Sequence, residues 1–359
     1  MQAMDVPGRL GLLRERLGDA GVDALIVTYL PNVRYLTGFT GSAGVLAVTP
    51  AAALLTTDGR YRTQSAEQVA AAGADVDISI GGVAAQRDAV KALVTGRVGL
   101  EADHVSWSGL RAWTELVGEP VPTTGVVEAL REVKDPGEVA LMARAAAIAD
   151  AALGEILPLL SEGVTENDFA LALDTAMRRG GAESTAFETI VAGGPNSAKP
   201  HHRPGDRLIS AGEPVVVDFG ATFQGYRSDM TRTFCVGGEP AGELARVFDV
   251  VRRSQAEGVR AVGPGVGAKD VDGVCRAVIE DAGWGERFEH GTGHGVGLDI
   301  HEAPTVSQLG TAILRPGMIV TVEPGVYLPG TGGVRIEDTL VVTEDGSRPL
   351  TTFTKTVAA

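Results

Sequence analysis

The run AGEPVVVDFG at residues 211–220 is answered further along the chain by PGMIVTVEPG at residues 316–325. Each run is apolar and carries an acidic residue near its end, Asp218 in the first copy and Glu323 in the second. A repeat of about a hundred residues is too long to be the unit of a solenoid. The second half of the chain is therefore predicted to contain two copies of one half-domain.

A second matched pair of segments follows these runs. RSDMT at residues 227–231 corresponds to RIEDT at residues 335–339, which places Asp229 opposite Glu337. Each copy thus brings two carboxylates to the same relative places, and two copies facing each other across a pseudo-twofold axis would gather four acids around one centre. Four buried acids cannot all stay ionised together without cations. The repeat therefore predicts a metal site.

Helical patterns and histidines repeat as well. GVTENDFALALDTAMRRGGA at residues 163–182 corresponds to GVGAKDVDGVCRAVIEDAGW at residues 265–284, and His201 corresponds to His301. Each of these histidines is followed three residues later by a proline. Long helices and antiparallel hairpins in two copies predict an α+β domain with its helices outside a curved sheet.

The first part of the chain has a different organisation. Helical and strand patterns alternate up to about residue 125, which predicts an α/β layered domain. The expected domains are residues 1–125 and residues 126–359. The second domain opens with a helix start signal, because Asp135 is a suitable N-cap, Pro136 suits the first helical position and Glu138 completes a capping box.

Periodicity and flanking glycine or proline residues give further elements. The predicted helices are 7–20, 61–72, 165–180, 241–262 and 269–282, and the predicted strands of the first domain include 24–29, 75–80 and two short strands within 44–58. The two cysteines of the chain, Cys235 and Cys275, are expected to be core thiols.

Composition excludes several classes of function. The 359 residues are 44% hydrophobic, which permits a sizeable core, and the formal net charge is −15. This charge argues against nucleic acid or an anionic membrane surface as a partner, since both favour clusters of Lys and Arg. We expect neither a signal peptide nor a membrane span, because no basic segment precedes an apolar one and no apolar run is long enough. Two cysteines are too few for a disulfide framework, which predicts a reducing, cytoplasmic location.

The four repeated acids share one local setting. Asp218 and Asp229 flank a predicted hairpin turn around residues 223–225, and Glu323 and Glu337 flank a longer, glycine-rich turn. Folding each hairpin brings its two carboxylates within cross-strand distance. A single strand Asp beside a turn is more often solvated or turn-capping, so the predicted metal site depends on the matched set and not on any one acid.

An imidazole accompanies the acids. His294 lies in HGTGHGVGLDIHE at residues 290–302, whose glycines allow close approach of the backbone. A lone histidine is more often a satisfied polar group than a ligand. His104, in the first domain, is expected to be a surface or packing residue. The other five histidines all lie in the two segments that precede the acids: His201, His202, His290, His294 and His301. Carboxylates with one imidazole favour Mn²⁺, Co²⁺ or Zn²⁺ over a thiolate-type site.

This constellation carries a family resemblance. The motifs VDFG, SDMTRTF, HGTGHGVGLDIHE, EPGVY and RIED together resemble the pita-bread metallopeptidases, and most closely aminopeptidase P and prolidase. The resemblance covers nearly the whole chain and implies a pita-bread catalytic domain behind a creatinase-like N-terminal domain. It also implies two divalent metal ions, with Mn²⁺ favoured and Co²⁺ or Zn²⁺ as alternatives. The implied ligands are Asp218, Asp229, His294, Glu323 and Glu337.

The resemblance also divides the ligands between the ions and assigns roles in the reaction. It implies that Asp218 and Asp229 hold one ion, that His294 and Glu323 hold the other, and that Asp229 and Glu337 bridge the two. Glu323 corresponds to a proton shuttle to the leaving nitrogen. The histidines implied to act on the substrate are His201 and His301, which steady it and the intermediate, and His290, which lines the pocket for the residue after the scissile bond.

Three further residues leave alternatives open. Arg335, near Glu337, either orients that bridging carboxylate, meets a carboxylate of the substrate, or is a plain strand-edge cation. Tyr327 belongs to the family pattern EPGVY, although a tyrosine after a turn commonly only packs. His202 competes with its neighbour for the histidine role, and the match to His301 favours His201.

The implied activity is hydrolysis of the Xaa-Pro imide bond at the N-terminus of short proline-containing peptides. NVRYLTGFTGSAGVLAVTP followed by TTDGRY resembles the first domain of aminopeptidase P more than that of archaeal-type prolidases, although both segments also read as simple turns. An Xaa-Pro aminopeptidase is therefore the first hypothesis and an Xaa-Pro dipeptidase the alternative. The resemblance also implies a homodimer.

Three rival classes fit less well. A non-enzymatic pita-bread module that binds peptides, and a creatinase-like hydrolase that works without metals, would both have lost metal ligands. All five ligand positions are intact here. Methionine aminopeptidase typically lacks a full leading domain of this kind. The sequence therefore favours a metal-dependent exopeptidase.

Overall fold

The computed structural model describes residues 3–356, and the chain divides into two compact units. One unit is Met4–Arg131, and the other comprises residues 132–356 together with Ala3. The division lies six residues beyond the predicted limit of 125, because the short helix Glu128–Arg131 remains with the first unit. Among the described residues, no helix has both the length and the apolar character needed to cross a bilayer.

The first unit is an α/β layered domain, as predicted. Its six strands form one mixed sheet in the order β4-β3-β2-β1-β5-β6. The strand β1 lies inside this sheet and all four of its residues are buried, which explains its uninterrupted apolar sequence. The strands are β1 Ala24–Val27, β2 Val45–Val48, β3 Ala53–Thr57, β4 Asp77–Ile80, β5 Val98–Glu101 and β6 Val121–Thr123. The helices are α1 Val6–Leu17, α2 Leu30–Thr37, α3 Arg62–Ala72, α4 Val83–Leu93, α5 Trp107–Val117 and α6 Glu128–Arg131.

The glycine-rich segment of the first unit forms turns. Gly38 ends α2 with φ 76°, a left-handed conformation that glycine adopts without strain. Asp58 accepts a hydrogen bond from the backbone N–H of Arg60 and so starts a short 3₁₀ turn. The hydroxyls of Ser42 and Tyr61 lie 2.6 Å apart and join the two turns. The turn interpretation of these motifs is therefore confirmed.

The second unit begins with the first copy of the repeat. Its opening helix has the predicted capping box: Asp135 accepts from the N–H of Glu138, and the Glu138 side chain accepts from the N–H of Asp135. The next helix has Thr165 as its N-cap, also as predicted. The elements are α7 Pro136–Ile156, α8 Glu166–Arg179, β7 Ser184–Thr185, β8 Ile190–Gly193, β9 Pro214–Phe219, β10 Ala221–Phe223, β11 Tyr226–Arg227 and β12 Met230–Cys235.

The second copy also begins with two helices and continues with strands, and among the described residues it has one strand more than the first copy. Its two helices lie close to the predicted ranges 241–262 and 269–282. Its main sheet has the order β14-β13-β15-β18-β19, and β16 pairs separately with β17. The elements are α9 Gly242–Ala261, α10 Ala268–Asp281, β13 Gly293–Gly295, β14 Glu302–Val306, β15 Ile319–Val322, β16 Gly325–Leu328, β17 Gly332–Arg335, β18 Asp338–Val342 and β19 Ser347–Pro349.

Each copy has its own hydrophobic core. In the first copy, Leu173 of α8 belongs to one cluster with Val217 of β9. In the second copy, Cys275 of α10 belongs to a separate cluster with Val322 of β15. Cys275 and Cys235 are both buried and unbonded to each other, so the expectation of core thiols is confirmed. The predicted α+β domain with a duplicated internal plan is therefore the fold of the second unit.

Hydrogen bonds join the two copies along β12 and the segment that enters β18. The backbone N–H of Glu337 donates to the carbonyl of Thr231 at 3.1 Å. The hydroxyl of Thr339 donates in the opposite sense to the carbonyl of Asp229 at 2.8 Å. These contacts bring the acid-bearing segments of the two copies side by side.

Candidate metal centre

The two acids of the first copy come together through the pairing of β9 with β12. Asp218 lies opposite Thr231 in this antiparallel pair, and Asp229 directly precedes β12. The close approach requires glycine at Gly220, because a Cβ there would lie 1.9 Å from the carbonyl oxygen of Ser228. This register places Asp229 level with Gly220, two residues along from Asp218, so the two carboxylates are diagonal neighbours on adjacent strands.

The two acids of the second copy also flank a hairpin, but with a different register. Val322, the last residue of β15, pairs with Asp338, the first residue of β18. Glu323 and Glu337 are the next residues outward on these two strands, so they face each other where the strands separate. The hairpin of β16 and β17 connects them, as β10 and β11 connect the acids of the first copy.

His294 enters the centre from a bulged strand. The pairing of β13 with β14 shifts register between His294 and Gly295, and a bulge of this kind turns a side chain away from the regular alternation. A Cβ at Gly293 or Gly295 would lie about 2 Å from a backbone oxygen, so both neighbours must be glycine for the strands to pack. The N–H of His294 donates to the hydroxyl of Thr321 at 3.0 Å, and this hydroxyl donates to Oε1 of Glu323 at 3.0 Å.

The five predicted ligands converge. His294 Nε2 lies 3.3 Å from Oε1 of Glu323 and 3.6 Å from Oδ2 of Asp229. One ligand atom each from Asp229, His294 and Glu337 lie within 4.8 Å of one another. Asp218 and Glu337 each have one buried carboxylate oxygen, Oδ1 and Oε1, without a hydrogen-bond partner among the described residues. Buried carboxylate oxygens without donors are what a cation ligand offers.

The pKa values of the buried acids also indicate that the cluster requires positive charge or protons. Burial, and then the nearby charge of Asp218, raise the pKa of Asp229 well above its usual value. Burial, and then the charge of Asp229, raise the pKa of Glu337 well above its usual value. Burial also raises the pKa of Asp218, although Arg335 opposes this effect. Protons or metal cations must therefore neutralise part of this cluster.

Glu323 and His294 form the ionised part of the cluster. Burial favours the neutral form of each, but their mutual hydrogen bond and charges outweigh it. The pKa of Glu323 falls to about 2, and the pKa of His294 rises to about 9 with a further contribution from Asp229. Four carboxylates and one imidazole form an oxygen-rich donor set that suits Mn²⁺, Co²⁺ or Zn²⁺, so these residues fit a pair of divalent ions.

Arg335 contacts Asp218 and not Glu337, the acid that the sequence predicted. Its Nη2 donates to Oδ2 of Asp218 at 2.7 Å, whereas its Nε donates to Thr231 and its Nη1 to the hydroxyl of Tyr327. The prediction that it orients Glu337 is wrong, because strand β17 points it across the interface between the copies toward the first. These hydrogen bonds use three of its five N–H groups, and Arg335 is among the residues that line the cavity described below, so a contact with a substrate carboxylate stays a prediction.

Tyr327 and His290 continue this chain of hydrogen bonds. The Tyr327 hydroxyl lies 2.8 Å from Nε2 of His290, and Nδ1 of His290 bonds the carbonyl of Gly291. Burial raises the pKa of Tyr327 to about 12 and lowers the pKa of His290. Tyr327 is 3% exposed and is not among the described residues that line the cavity. The predicted substrate contact of Tyr327 is thus replaced by a position behind Arg335 and His290.

A cavity of about 900 Å³ opens over the metal centre. His201 and His301 both line it, and the ring of His301 lies 4.4 Å from the ring of His294 in an edge-on arrangement. Burial, then the charge of His294, lower the pKa of His301, which keeps this imidazole neutral. His290 also lines the cavity, and its apolar wall includes Phe187. The predicted site histidines therefore share one cavity.

Several residues that support the centre were not predicted. Thr231 donates to Oε2 of Glu337 at 2.8 Å, and Thr321 fixes Glu323 as described above. Asp272 holds Arg276 through two hydrogen bonds, and Arg276 donates to the carbonyl of His290. Threonines in strands usually indicate β propensity alone, so the sequence carried no signal for these roles.

The arrangement indicates a class of protein: buried acids with one imidazole, gathered in a duplicated α+β domain, are the donor set of a metallopeptidase. The profile of metallopeptidase family M24 matches residues 140–344, and the profile of the creatinase/prolidase N-terminal domain matches residues 9–133. The chain therefore belongs to metallopeptidase family M24, in the pita-bread fold that the sequence predicted. The resemblance to the aminopeptidase P and prolidase type is confirmed.

Individual relatives cover the whole chain. The uncharacterized peptidase YqhT of Bacillus subtilis is 42% identical over 347 residues, which are 96% of this chain and 97% of YqhT. The structure of an Xaa-Pro dipeptidase from Bacillus anthracis is similar with a TM-score of 0.94 at 38% identity, over 99% of this chain and 100% of that one. An X-Pro aminopeptidase from Thermotoga maritima has a TM-score of 0.87 at 33% identity, over 98% and 99% of the two chains.

Proposed function

We propose that this chain hydrolyses the Xaa-Pro imide bond at the N-terminus of short peptides, and that five residues hold two divalent ions for this reaction. The observation that carries the proposal is the convergence of two acids from each copy with one imidazole at the floor of one cavity. The proposed ligands are Asp218, Asp229, His294, Glu323 and Glu337. Within this set we propose that Asp218 and Asp229 hold one ion, His294 and Glu323 the other, with Asp229 and Glu337 between them.

The chemistry divides between the ions and the side chains. When bound, a pair of divalent ions polarises a carbonyl group and activates water near neutral pH. The departing nitrogen needs a proton, and we assign its transfer to Glu323: this ionised carboxylate would first accept the proton that the attacking water loses and then pass it to the nitrogen. The Thr321 hydroxyl and His294 both contact Oε1 of Glu323, which holds this oxygen in one orientation toward the cavity.

The cavity histidines are proposed to hold the substrate. His301 is neutral at physiological pH and so offers one donor and one acceptor nitrogen to a peptide. His201 lines the same cavity and is proposed to act with it on the substrate and the tetrahedral intermediate. His290 has both nitrogens engaged by the protein, so we propose that it bounds the site after the scissile bond with its ring. Arg335 and Tyr327 are proposed to support Asp218 and His290.

Proline specificity has a physical rationale in this chemistry. The nitrogen of an Xaa-Pro bond belongs to a tertiary amide and carries no N–H group. A peptidase that recognises that N–H loses its contact, whereas a site that acts on the carbonyl oxygen and the terminal amine does not need it. Two solved relatives, named an Xaa-Pro dipeptidase and an X-Pro aminopeptidase, support the same bond for this chain.

We favour the aminopeptidase form over the dipeptidase form. A cavity of about 900 Å³ is at the upper end of small-molecule sites, which hold ligands larger than a dipeptide. The dipeptidase alternative remains a second candidate because the relative from Bacillus anthracis carries that name and matches the whole chain.

A paired assay tests both proposals. The metal-depleted protein is supplied with Mn²⁺ and offered Xaa-Pro dipeptides, Xaa-Pro-Yaa tripeptides and matched Xaa-Ala-Yaa tripeptides. We expect release of the first residue from Xaa-Pro-Yaa and no release from Xaa-Ala-Yaa. Cleavage of dipeptides alone would establish the dipeptidase alternative, and cleavage of neither proline peptide would refute the proposed function.

We extend the proposal to the setting of the enzyme. Mn²⁺ is the proposed metal, with Co²⁺ and Zn²⁺ as alternatives, and metal analysis of protein purified without added metal tests this choice. We propose a cytoplasmic homodimer whose catalytic domain is residues 126–359 and whose N-terminal domain is residues 1–125. The two buried thiols support the cytoplasmic assignment, and sedimentation equilibrium tests the dimer.

A further inference from the structure

We propose that two largely buried acid–base pairs, Glu166–His202 and Lys134–Glu302, position His201 and His301 in the cavity. His202 also lines the cavity, and the cycles described below separate a direct role of this residue from a role through His201. Each pair includes the residue directly after a cavity histidine: His202 follows His201, and Glu302 follows His301. This inference rests on the proposed function, because it assigns His201 and His301 to the substrate. Glu166, His202, Lys134 and Glu302 are positioning residues, and we name them the anchoring pairs.

The first anchoring pair fixes the loop that carries His201. Glu166 begins helix α8 and its side chain is fully buried. Oε2 of Glu166 lies 2.8 Å from Nε2 of His202 and accepts from the N–H of Gly205 at 3.3 Å. Oε1 accepts from the N–H of Gly193 at 2.8 Å and from the side chain of Asn196 at 2.9 Å. One carboxylate thus binds the loop before and after His201.

The loop needs such an anchor because it has no strand of its own around His201. Residues 199–207 lie between β8 and β9 without regular pairing. Backbone bonds from the start of α8 complete the attachment, with the N–H of Glu166 donating to the carbonyl of Arg207 and the N–H of Asn167 donating to that of Gly205. The side chain of His201 makes no hydrogen bond to any other residue that the structure describes, and it lines the cavity, so its position follows from the loop.

The second anchoring pair does the same for His301. Lys134 Nζ donates to Oε2 of Glu302 at 2.9 Å, and the two side chains are 1% and 7% exposed. Oε1 of Glu302 accepts from the N–H of Asp299 at 3.0 Å, which closes the turn around His301. Lys134 is in turn tied to the sheet, because its N–H donates to the carbonyl of Gly317 just before β15. Strand β15, which directly precedes Glu323, is thereby connected to the turn that carries His301.

Both anchoring pairs hold a loop that carries a cavity histidine, but the acid and the base exchange places between them. In the first copy the loop supplies the base and the helix start supplies the acid, whereas in the second copy the loop supplies the acid. The pairs are not products of the duplication, since the repeat position of Glu166 is Ala268. Two unrelated pairs at the same place beside a cavity histidine are what a positioning requirement would produce. A buried charged group keeps one geometry because leaving its partner is costly.

Double-mutant cycles test the inference with Mn²⁺-loaded enzyme and an Xaa-Pro-Yaa peptide. If His202 acts only through His201, His202→Ala lowers kcat/KM roughly 10- to 100-fold in the wild-type background, as is typical for residues that hold site groups in place. The same change then has almost no effect in a His201→Ala background but keeps its full effect in a His301→Ala background. Glu302→Ala must show the reverse pattern. Effects that multiply in every background would overturn the proposal.

Conservative variants and a surface control sharpen the cycles. His202→Gln keeps a side-chain donor toward Glu166 and Glu302→Gln keeps an acceptor toward Lys134, so each is expected to recover most of the activity lost in the alanine variant. Bound Mn²⁺ per chain stays at the wild-type value in all four variants, because no metal ligand is touched. Arg252→Ala, which removes an exposed pair with Asp249, changes nothing. Loss of bound metal in His202→Ala or Glu302→Ala would show that the change disrupts the whole site, and it would overturn the positioning role.

A measurement without substrate separates this inference from the proposed function. Amide hydrogen exchange is compared in the wild type, Glu166→Gln and Lys134→Met. We expect faster exchange in peptides covering residues 193–205 only in Glu166→Gln, and in peptides covering residues 297–303 only in Lys134→Met. These shifts stand even if no Xaa-Pro peptide is cleaved. Unchanged exchange in both loops would overturn the proposal that the anchoring pairs hold these loops, while leaving the proposed function intact.

Discussion

The two copies of the repeat provide the same acids but different imidazoles. Asp218 and Asp229 correspond to Glu323 and Glu337, and each pair flanks a hairpin between two core strands. His294 of β13 has no such counterpart. Strand β8 pairs with β9 in the first copy as β13 pairs with β15 in the second. In this comparison the position of His294 is occupied by Ala192, which is fully buried. The second copy therefore contributes three of the five proposed ligands.

The arginines of the matched segments diverge in the same way. Arg335 and Arg227 occupy equivalent places, two residues before Glu337 and Asp229. Arg335 crosses the interface to the carboxylate of Asp218, whereas Arg227 donates to the backbone carbonyls of Ala186 and Leu298. One arginine stabilises a proposed ligand and the other stabilises a loop.

The difference teaches how a duplicated fold acquires a directional site. The duplication sets the framework, because two equal hairpins facing each other gather carboxylates symmetrically. A peptide has different groups on the two sides of its scissile bond, so a symmetric cage cannot distinguish them. The two residues that break the symmetry at the centre are His294 and Arg335, and both belong to the second copy.

The largest expected effect comes from removing one acid of either copy. Asp229→Asn and Glu337→Gln are each expected to lower kcat/KM at least about a thousandfold, since activated water near neutral pH is lost with the metal. Metal analysis and peptide assays check both variants. Glu188→Gln, which alters another carboxylate on the cavity wall, is the matched control and should keep its metal. A large loss in only one of the two acid variants would show that the copies contribute unequally.

The next effect separates the unmatched imidazole from its neighbour. His294→Ala is expected to weaken metal binding by more than about a hundredfold, beyond the range for residues that only orient ligands. His290→Ala removes a histidine from the same cavity but should keep the metal, because its nitrogens face Tyr327 and Gly291. Titration of the metal-free variants with Mn²⁺, followed by calorimetry, measures both. Equal affinities in the two variants would contradict the role given to His294.

A smaller effect distinguishes the two arginines. Arg335→Met is expected to reduce metal affinity about 10- to 100-fold, because Asp218 loses its orienting donor. Arg227→Met, the equivalent change in the other copy, should leave metal affinity within about twofold and affect thermal stability instead. Matching losses of affinity would mean that the copies are more alike in function than in contacts.

The pH dependence of the metal-free protein gives the smallest effect. Asp229 and Glu337 have raised pKa values, so their contribution to stability is present below the usual carboxylate pKa and is lost as pH rises. His294 contributes below its usual value of 6.5 and loses that contribution as pH rises through about 9. The Tm of metal-free protein should therefore fall between pH 6 and pH 9. Mn²⁺ should reduce this fall, and a flat profile without metal would argue against a crowded acid centre.

The sequence supported much of the fold and of the site. The capping box at Asp135 and the N-cap at Thr165 use local hydrogen bonds, which depend on neighbouring residues alone and so can be recognised in a sequence. The hairpin acids were recognisable because both copies of the repeat carry an acid at the same two positions. The target of Arg335 was not recognisable, since it lies 117 residues away on the other copy. A side chain's partner across an interface depends on how two sheets are placed, which no local pattern encodes.

The anchoring pairs show the same division most clearly. HGTGHGVGLDIHE and the acid pattern were enough to identify the family and the expected ligands, because chemistry at a metal centre restricts residue types at fixed spacing. Only the tertiary structure showed that Glu166 meets His202 and that Lys134 meets Glu302. These contacts join residues 36 and 168 positions apart, where sequence spacing carries no information on distance. Residue types determined what the site can bind, and the packing of the two copies determined where each group points.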